Sequence, residues 1–261
     1  MALPAHVLDR LPPELLKRIS SPLSRAGRLG PARCLEEVLA LSGLEGALGE
    51  GGLVRGGVVE LALQGAAAWG TSLSLGACRA AQVEARALGG ESAWCAFLDP
   101  SSSLHAPGVA RAGVELERLL LVRPTLEALG RTALRVVESK AFAVVVIDTV
   151  GSAAKPLDVS LGPWARLVRR LSLAVEGTRT TVLLLTDCAR PRPLTLPVAQ
   201  RLELSRKSEH ELFVAVTKDR QGRTSSARRV PLAALRGPVS AERSSAERGP
   251  SRPREEVNRV A

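Results

Sequence analysis

Between residues 57 and 218, short unbroken runs of Val, Leu, Ile and Ala alternate with longer stretches whose apolar residues recur every three to four positions. The runs lie at 57–63, 93–98, 118–122, 143–147 and 180–185, and helical periods fill 72–88, 104–112, 126–139 and 163–175. A strand that is apolar throughout must be covered on both faces, and parallel neighbours need a crossover long enough to hold a helix. The pattern therefore predicts an α/β fold with a doubly wound, mainly parallel sheet. Two later runs, 199–204 and 212–217, sit closer together and alternate apolar with polar residues. They read as antiparallel strands at the C-terminal edge.

The chain ends differ from this middle. Leu11, Leu15, Leu16, Ile19 and Leu23 recur at helical spacing, so the N-terminal helical lead, residues 1–30, is expected to hold a short helix from about Pro12 to Ser20, either a cap on the core or an arm that grips another subunit. Residues 31–235 form the core domain. Residues 236–261 are rich in Ser, Pro, Arg and Glu and lack the apolar residues needed to order themselves, so a disordered tail is expected. No apolar run approaches the roughly 20 residues that cross a bilayer, and no export signal is visible. The four cysteines are scattered without a Cys-x-x-Cys pair, which argues against zinc modules and for reduced thiols in the cytoplasm.

Residues 42–61 read SGLEGALGEGGLVRGGVVEL. This phrase resembles the entry to the core of the RecA family, where a similar Gly-rich phrase leads into the first core strand, and the likeness continues to about residue 231. The resemblance implies a RecA-type core with its ligand site at the carboxyl end of the first strand. A phosphate-binding loop has the pattern G-x-x-x-x-G-K-[ST], in which backbone N–H groups and a lysine hold the phosphates and the hydroxyl holds Mg²⁺. Gly65, Gly70 and Ser72 match that spacing, but Thr71 stands at the lysine position. No frame restores the lysine, because none occurs between Lys17 and Lys140. The family's general base falls on Ser101, a hydroxyl that cannot take a proton from water near neutral pH. Asp148, at the end of an apolar run, matches the Mg²⁺-facing acid; alternatively it caps the next turn. These residues form a degenerate nucleotide site, so no catalytic residue, metal or cofactor is expected.

A RecA-like core without these groups is similar in kind to ImuA-type accessory proteins of bacterial translesion synthesis. That resemblance implies a noncatalytic scaffold in the SOS response. Its partners would be an ImuB-like inactive Y-family polymerase relative and, through it, an error-prone C-family polymerase. RecA-family cores accept an extended segment along an exposed sheet edge, and Arg118, Leu119, Leu120, Leu121 and Val122 best match that edge. The alternatives are a RecA-type recombination mediator that keeps ATP and DNA binding, and a RecA-like regulator of cell division or the SOS response.

The net charge of +10 comes from 31 Arg and only five Lys, a skew that a GC-rich genome also produces. Residues 186–236 nevertheless carry 11 basic against five acidic side chains, a stretch suited to the DNA backbone. Arg190, Arg192, Lys218 and Arg220 are the candidate DNA or inter-subunit contacts, with Lys218 and Arg220 resembling the paired basic residues that reach a neighbour's nucleotide in RecA proteins. Phe213 is the one aromatic in the stretch, so stacking on bases is not expected to contribute much. The isolated His6, His105 and His210 support no catalytic or metal constellation.

Overall fold

A computed structural model describes residues 38–44, 46–48, 52–64, 67–189, 196–206 and 211–231. The lead at 1–30 and the tail at 236–261 lie outside the described residues. Among the described residues, ten strands and four helices follow in the order β1 (Val38–Ala40), β2 (Gly52–Val54), β3 (Gly57–Gln64), α1 (Ala67–Ala87), β4 (Cys95–Leu98), α2 (Ala106–Arg111), a 3₁₀ turn (Leu116–Arg118), β5 (Leu119–Val122), α3 (Leu126–Glu138), β6 (Val144–Asp148), α4 (Trp164–Val175), β7 (Thr181–Asp187), β8 (Gln200–Arg206), β9 (Glu211–Asp219) and β10 (Ser225–Pro231).

The main sheet has eight strands in the order β10-β9-β8-β3-β7-β6-β4-β5. From β8 to β5 every pairing is parallel. The fold class expected from the alternating runs is the observed one. β8 departs in one respect from the expected antiparallel pair: it lies parallel to β3 and antiparallel only to β9. The antiparallel edge therefore consists of β9 and β10. β10 was not expected, because its sequence SSARRVP holds one large apolar residue, Val230. It forms because β9 offers it a ladder, not because its own residues favour a strand.

Two cores flank the sheet. Val59, Leu61 and Leu63 of β3 point to the layer holding α1, with Leu73, Ala77, Cys78 and Ala81. Val58 points to the opposite layer, where Leu129, Ala133, Val168 and Leu171 of α3 and α4 pack. This is the two-sided burial that the unbroken apolar runs required. The antiparallel β1–β2 pair lies before the first core strand, with β1 just ahead of the Gly-rich phrase and β2 inside it. At Gly52 a Cβ would lie 2.6 Å from the carbonyl oxygen of Leu39, so the strands meet closely only because a glycine is there. Gly56, at φ +61°, then turns the chain into β3.

Candidate functional site

The carboxyl ends of β3, β4, β6 and β7 converge where a RecA-type core would hold its ligand. β3 ends at Gln64 and α1 begins at Ala67, five positions before the helix start expected at 72. Only residues 65–66 separate strand from helix, and Gly65 lies outside the described residues. Gly70, Thr71 and Ser72 are thus helical and do not belong to a six-residue loop. The N–H of Thr71 falls within the helical ladder, and the groups free to bind an anion belong to the preceding turn. Gly70 has a packing role: a Cβ there would lie 2.6 Å from Cδ1 of Leu63, the buried penultimate residue of β3.

Asp99 and Asp148 end adjacent structural paths, after β4 and in β6. Both carboxylates serve their own turns. Asp99 Oδ1 accepts from the Ser101 hydroxyl at 2.7 Å and the Ser103 N–H at 3.1 Å, and Oδ2 accepts from the Leu104 N–H at 2.8 Å. Burial alone would push its pKa up. The Leu104, Ser101 and Ser103 donors, helped by the Arg123 charge, instead hold it below the usual carboxylate value. Ser101, at the general-base position, is buried and spends its proton on Asp99. Asp148 Oδ1 accepts from the N–H groups of Val150 and Gly151 at 2.8 and 2.9 Å. Burial still raises its pKa; the Gly151 and Val150 bonds oppose this, and the Asp99 charge adds to it. The turn-capping role weighed for Asp148 is therefore present in the structure. Among the described residues, no group of three or more His, Cys, Asp or Glu side chains could hold a metal ion.

Glu60 is a charged group that sequence reasoning used only to set the loop's frame. It is fully buried in β3, accepts from the Thr186 hydroxyl of β7 at 2.7 Å, and lies 3.9 Å from Nε of Arg201 on β8. A carboxylate inside an otherwise apolar strand was the available signal, since a buried charge needs partners. The trio lies on the face opposite α1, with Glu60 in the middle of β3.

β5 is the terminal strand of the sheet. Val122 accepts a hydrogen bond from the Asp99 N–H at 2.8 Å, so its peptide groups face β4. Alternation along the strand turns the N–H and C=O of Leu121 outward. The side chain of Leu120 packs against the α3–α4 core, whereas Leu121 is 36 % exposed. Arg118 does not extend this strand. It ends the 3₁₀ turn, its guanidinium stacks 5.3 Å from the centroid of the Trp94 ring, and it pairs with Glu91 at 3.1 Å.

The basic candidates divide. Arg190 and Arg192 lie outside the described residues. Lys218 sits near the end of β9, where its ammonium donates to the Leu196 carbonyl at 3.2 Å, and Arg220 follows it on the surface. Asp219 is in register with Gln200, which opens β8 opposite Val59 near the start of β3. Lys218 and Arg220 are thus at the amino end of the parallel strands, the opposite end from Asp99 and Asp148. They cannot serve this chain's own strand-end site. Arg206, Arg228 and Arg229 add positive charge along β8 and β10, with Arg229 paired to Glu211 at 2.8 Å.

Sheet order and crossovers together define a RecA-type α/β fold. Comparison with known proteins agrees. The family model for the RecA N-terminal domain matches residues 35–162. The chain is similar to protein RecA of Rhodospirillum centenum, at 31 % identity over 61 % of this chain and 47 % of that protein. It is also similar to protein RecA of Chloroflexus aurantiacus, at 33 % identity over 55 % of this chain and 42 % of the relative. A mitochondrial DNA repair protein recA homolog of Dictyostelium discoideum matches at 31 % identity, over 56 % of this chain and 33 % of its own. The chain thus spans less than half the length of these curated relatives. The crystal structure of the RadB recombinase superposes with a TM-score of 0.53 at 16 % identity, covering 72 % of this chain and 91 % of that one, a likeness of fold. These likenesses show similarity to RecA proteins in sequence and to the RadB recombinase in fold.

Proposed function

We propose that this chain is a noncatalytic RecA-like scaffold, similar in kind to ImuA. It docks an ImuB-like inactive Y-family polymerase relative and, through it, an error-prone C-family polymerase during SOS-induced translesion DNA synthesis and mutagenesis. The observation that carries the reading is the strand-to-helix junction: two residues and a helix stand where a phosphate loop and its lysine would be. A hydrogen bond to a charged partner contributes about 1.5–3 kcal/mol, so the missing lysine alone weakens nucleotide binding by about one to two decades. It also removes the cation that neutralises charge during phosphoryl transfer. Ser101 is bonded to Asp99, and Oδ1 of Asp148 is bonded to its own turn, which leaves no acid at the general-base position.

What such a core keeps is its edge. The outward peptide groups of β5 suit addition of an extended partner segment, with side chains of that segment lying over Leu121 and the start of α3. Capture of an ImuB-like protein by the full chain tests the reading; absence of a complex with purified proteins contradicts it. A recombination mediator is the second reading, favoured by the basic side chains of β8 to β10. Saturable ATP binding together with DNA-dependent turnover would select it instead.

A further inference from the structure

On the α1 side of the sheet, β1 and α1 enclose a groove of about 260 Å³. Its walls are apolar, with Leu39, Leu41 and Leu73 at the base and Val83 on the rim, 60 % exposed. One cation reaches into it: Arg79, whose Nη1 is buried without a hydrogen-bond partner among the described residues. Glu84, at the end of the groove, is already engaged by Arg55 and by Arg179 at 3.0 Å. An apolar trough lined by a half-buried arginine, one of whose nitrogens is buried without a partner, fits an occupant that presents an apolar stripe and an oxygen acceptor.

We propose that the amphipathic helix expected over about residues 12–20 of the same chain docks in this groove. Val38, the first residue of β1, lines the groove, so the segment that precedes it starts at the rim. Residues 24–37 are long enough to return the chain from any point along α1, at about 3.3 Å per residue. Pro12 and Pro13 open this helix and Pro22 lies beyond its end; Leu15, Leu16 and Ile19 form its apolar face, Leu11 and Leu23 flank it, and Glu14 in its first turn carries a carboxylate that can answer Arg79. A helix this short is marginal in water and gains its stability from the face it buries. The tether favours the chain's own groove over that of a second copy, because it keeps the segment at high effective concentration. This docking is independent of the ImuB reading; it closes the layer opposite α3 and α4.

The test is disulfide trapping in the full chain, with Cys34→Ser and Cys188→Ser leaving the buried Cys78 and Cys95 as the natural thiols. Leu15→Cys is paired either with Val83→Cys on the groove rim or with Leu173→Cys, which is 70 % exposed on α4 in the opposite layer. Oxidised glutathione is expected to give an intramolecular cross-link with Val83→Cys and none with Leu173→Cys. Adding Ile19→Asp should abolish the first cross-link and speed amide exchange along α1. Equal cross-linking to both positions, cross-links only between chains, or no cross-link at all would overturn the proposal.

Discussion

At the residue scale, Asp99 and Asp148 make opposite contributions to stability. Asp99 has a folded-state pKa below its unfolded value of about 3.9, so its stabilisation is present above that value and disappears as pH falls through the folded pKa. Asp148 has a raised folded-state pKa; its favourable contribution is complete below the unfolded value and is lost as pH rises through the folded one. Asp99→Asn should therefore cost about 1–3 kcal/mol at neutral pH, because an amide cannot accept as its donors require. The deficit should shrink toward about pH 3. Asp148→Asn keeps a carbonyl oxygen for Val150 and Gly151 and should leave neutral-pH stability unchanged or raised. Urea midpoints at both pH values check the pair; equal losses in the two variants would contradict the assignment. Asp148 was legible as a strand-end acid and as a turn cap; which donors its carboxylate takes was not, since that depends on how residues 149–151 fold back.

Elements were legible where burial dictated them. The five central strands and four crossover helices follow from apolar runs and helical periods, because both faces of a parallel sheet must be covered. The β1–β2 pair and β10 escaped notice for a physical reason: their residues are held by neighbours rather than by their own pattern. The early start of α1 was equally hidden, because Ala66 to Ala68 carry no periodicity. The edge strand supports a sharper test than sequence alone allowed. Leu120 packs into the core, so a charge there would disturb the fold as well as the edge. Leu121→Pro removes an outward N–H without removing a bond to β4, and proline is tolerated on edge strands. The variant should keep the wild-type melting behaviour within about 1 kcal/mol and lose capture of an ImuB-like partner. Retained capture with wild-type affinity would rule out strand addition at β5.

For the whole molecule, charge and chemistry separate. The basic side chains of β8 to β10 lie on one wing of the sheet, while the carboxylates and the candidate docking edge lie elsewhere. Any DNA binding should be electrostatic, with affinity falling linearly in log–log plots against salt at a slope of about −0.7 per phosphate neutralised on single strands. Fluorescence anisotropy over a salt series measures that slope; a flat dependence would mean that this wing does not bind phosphate. The scaffold account rests on the absence of a working triphosphate site. Calorimetric titration of the full chain with ATP and Mg²⁺, followed by a phosphate-release assay on the same sample, tests it most directly. The account predicts no saturable heat and no release above the protein-free control. Saturable binding with phosphate release that Asp148→Asn abolishes would contradict it.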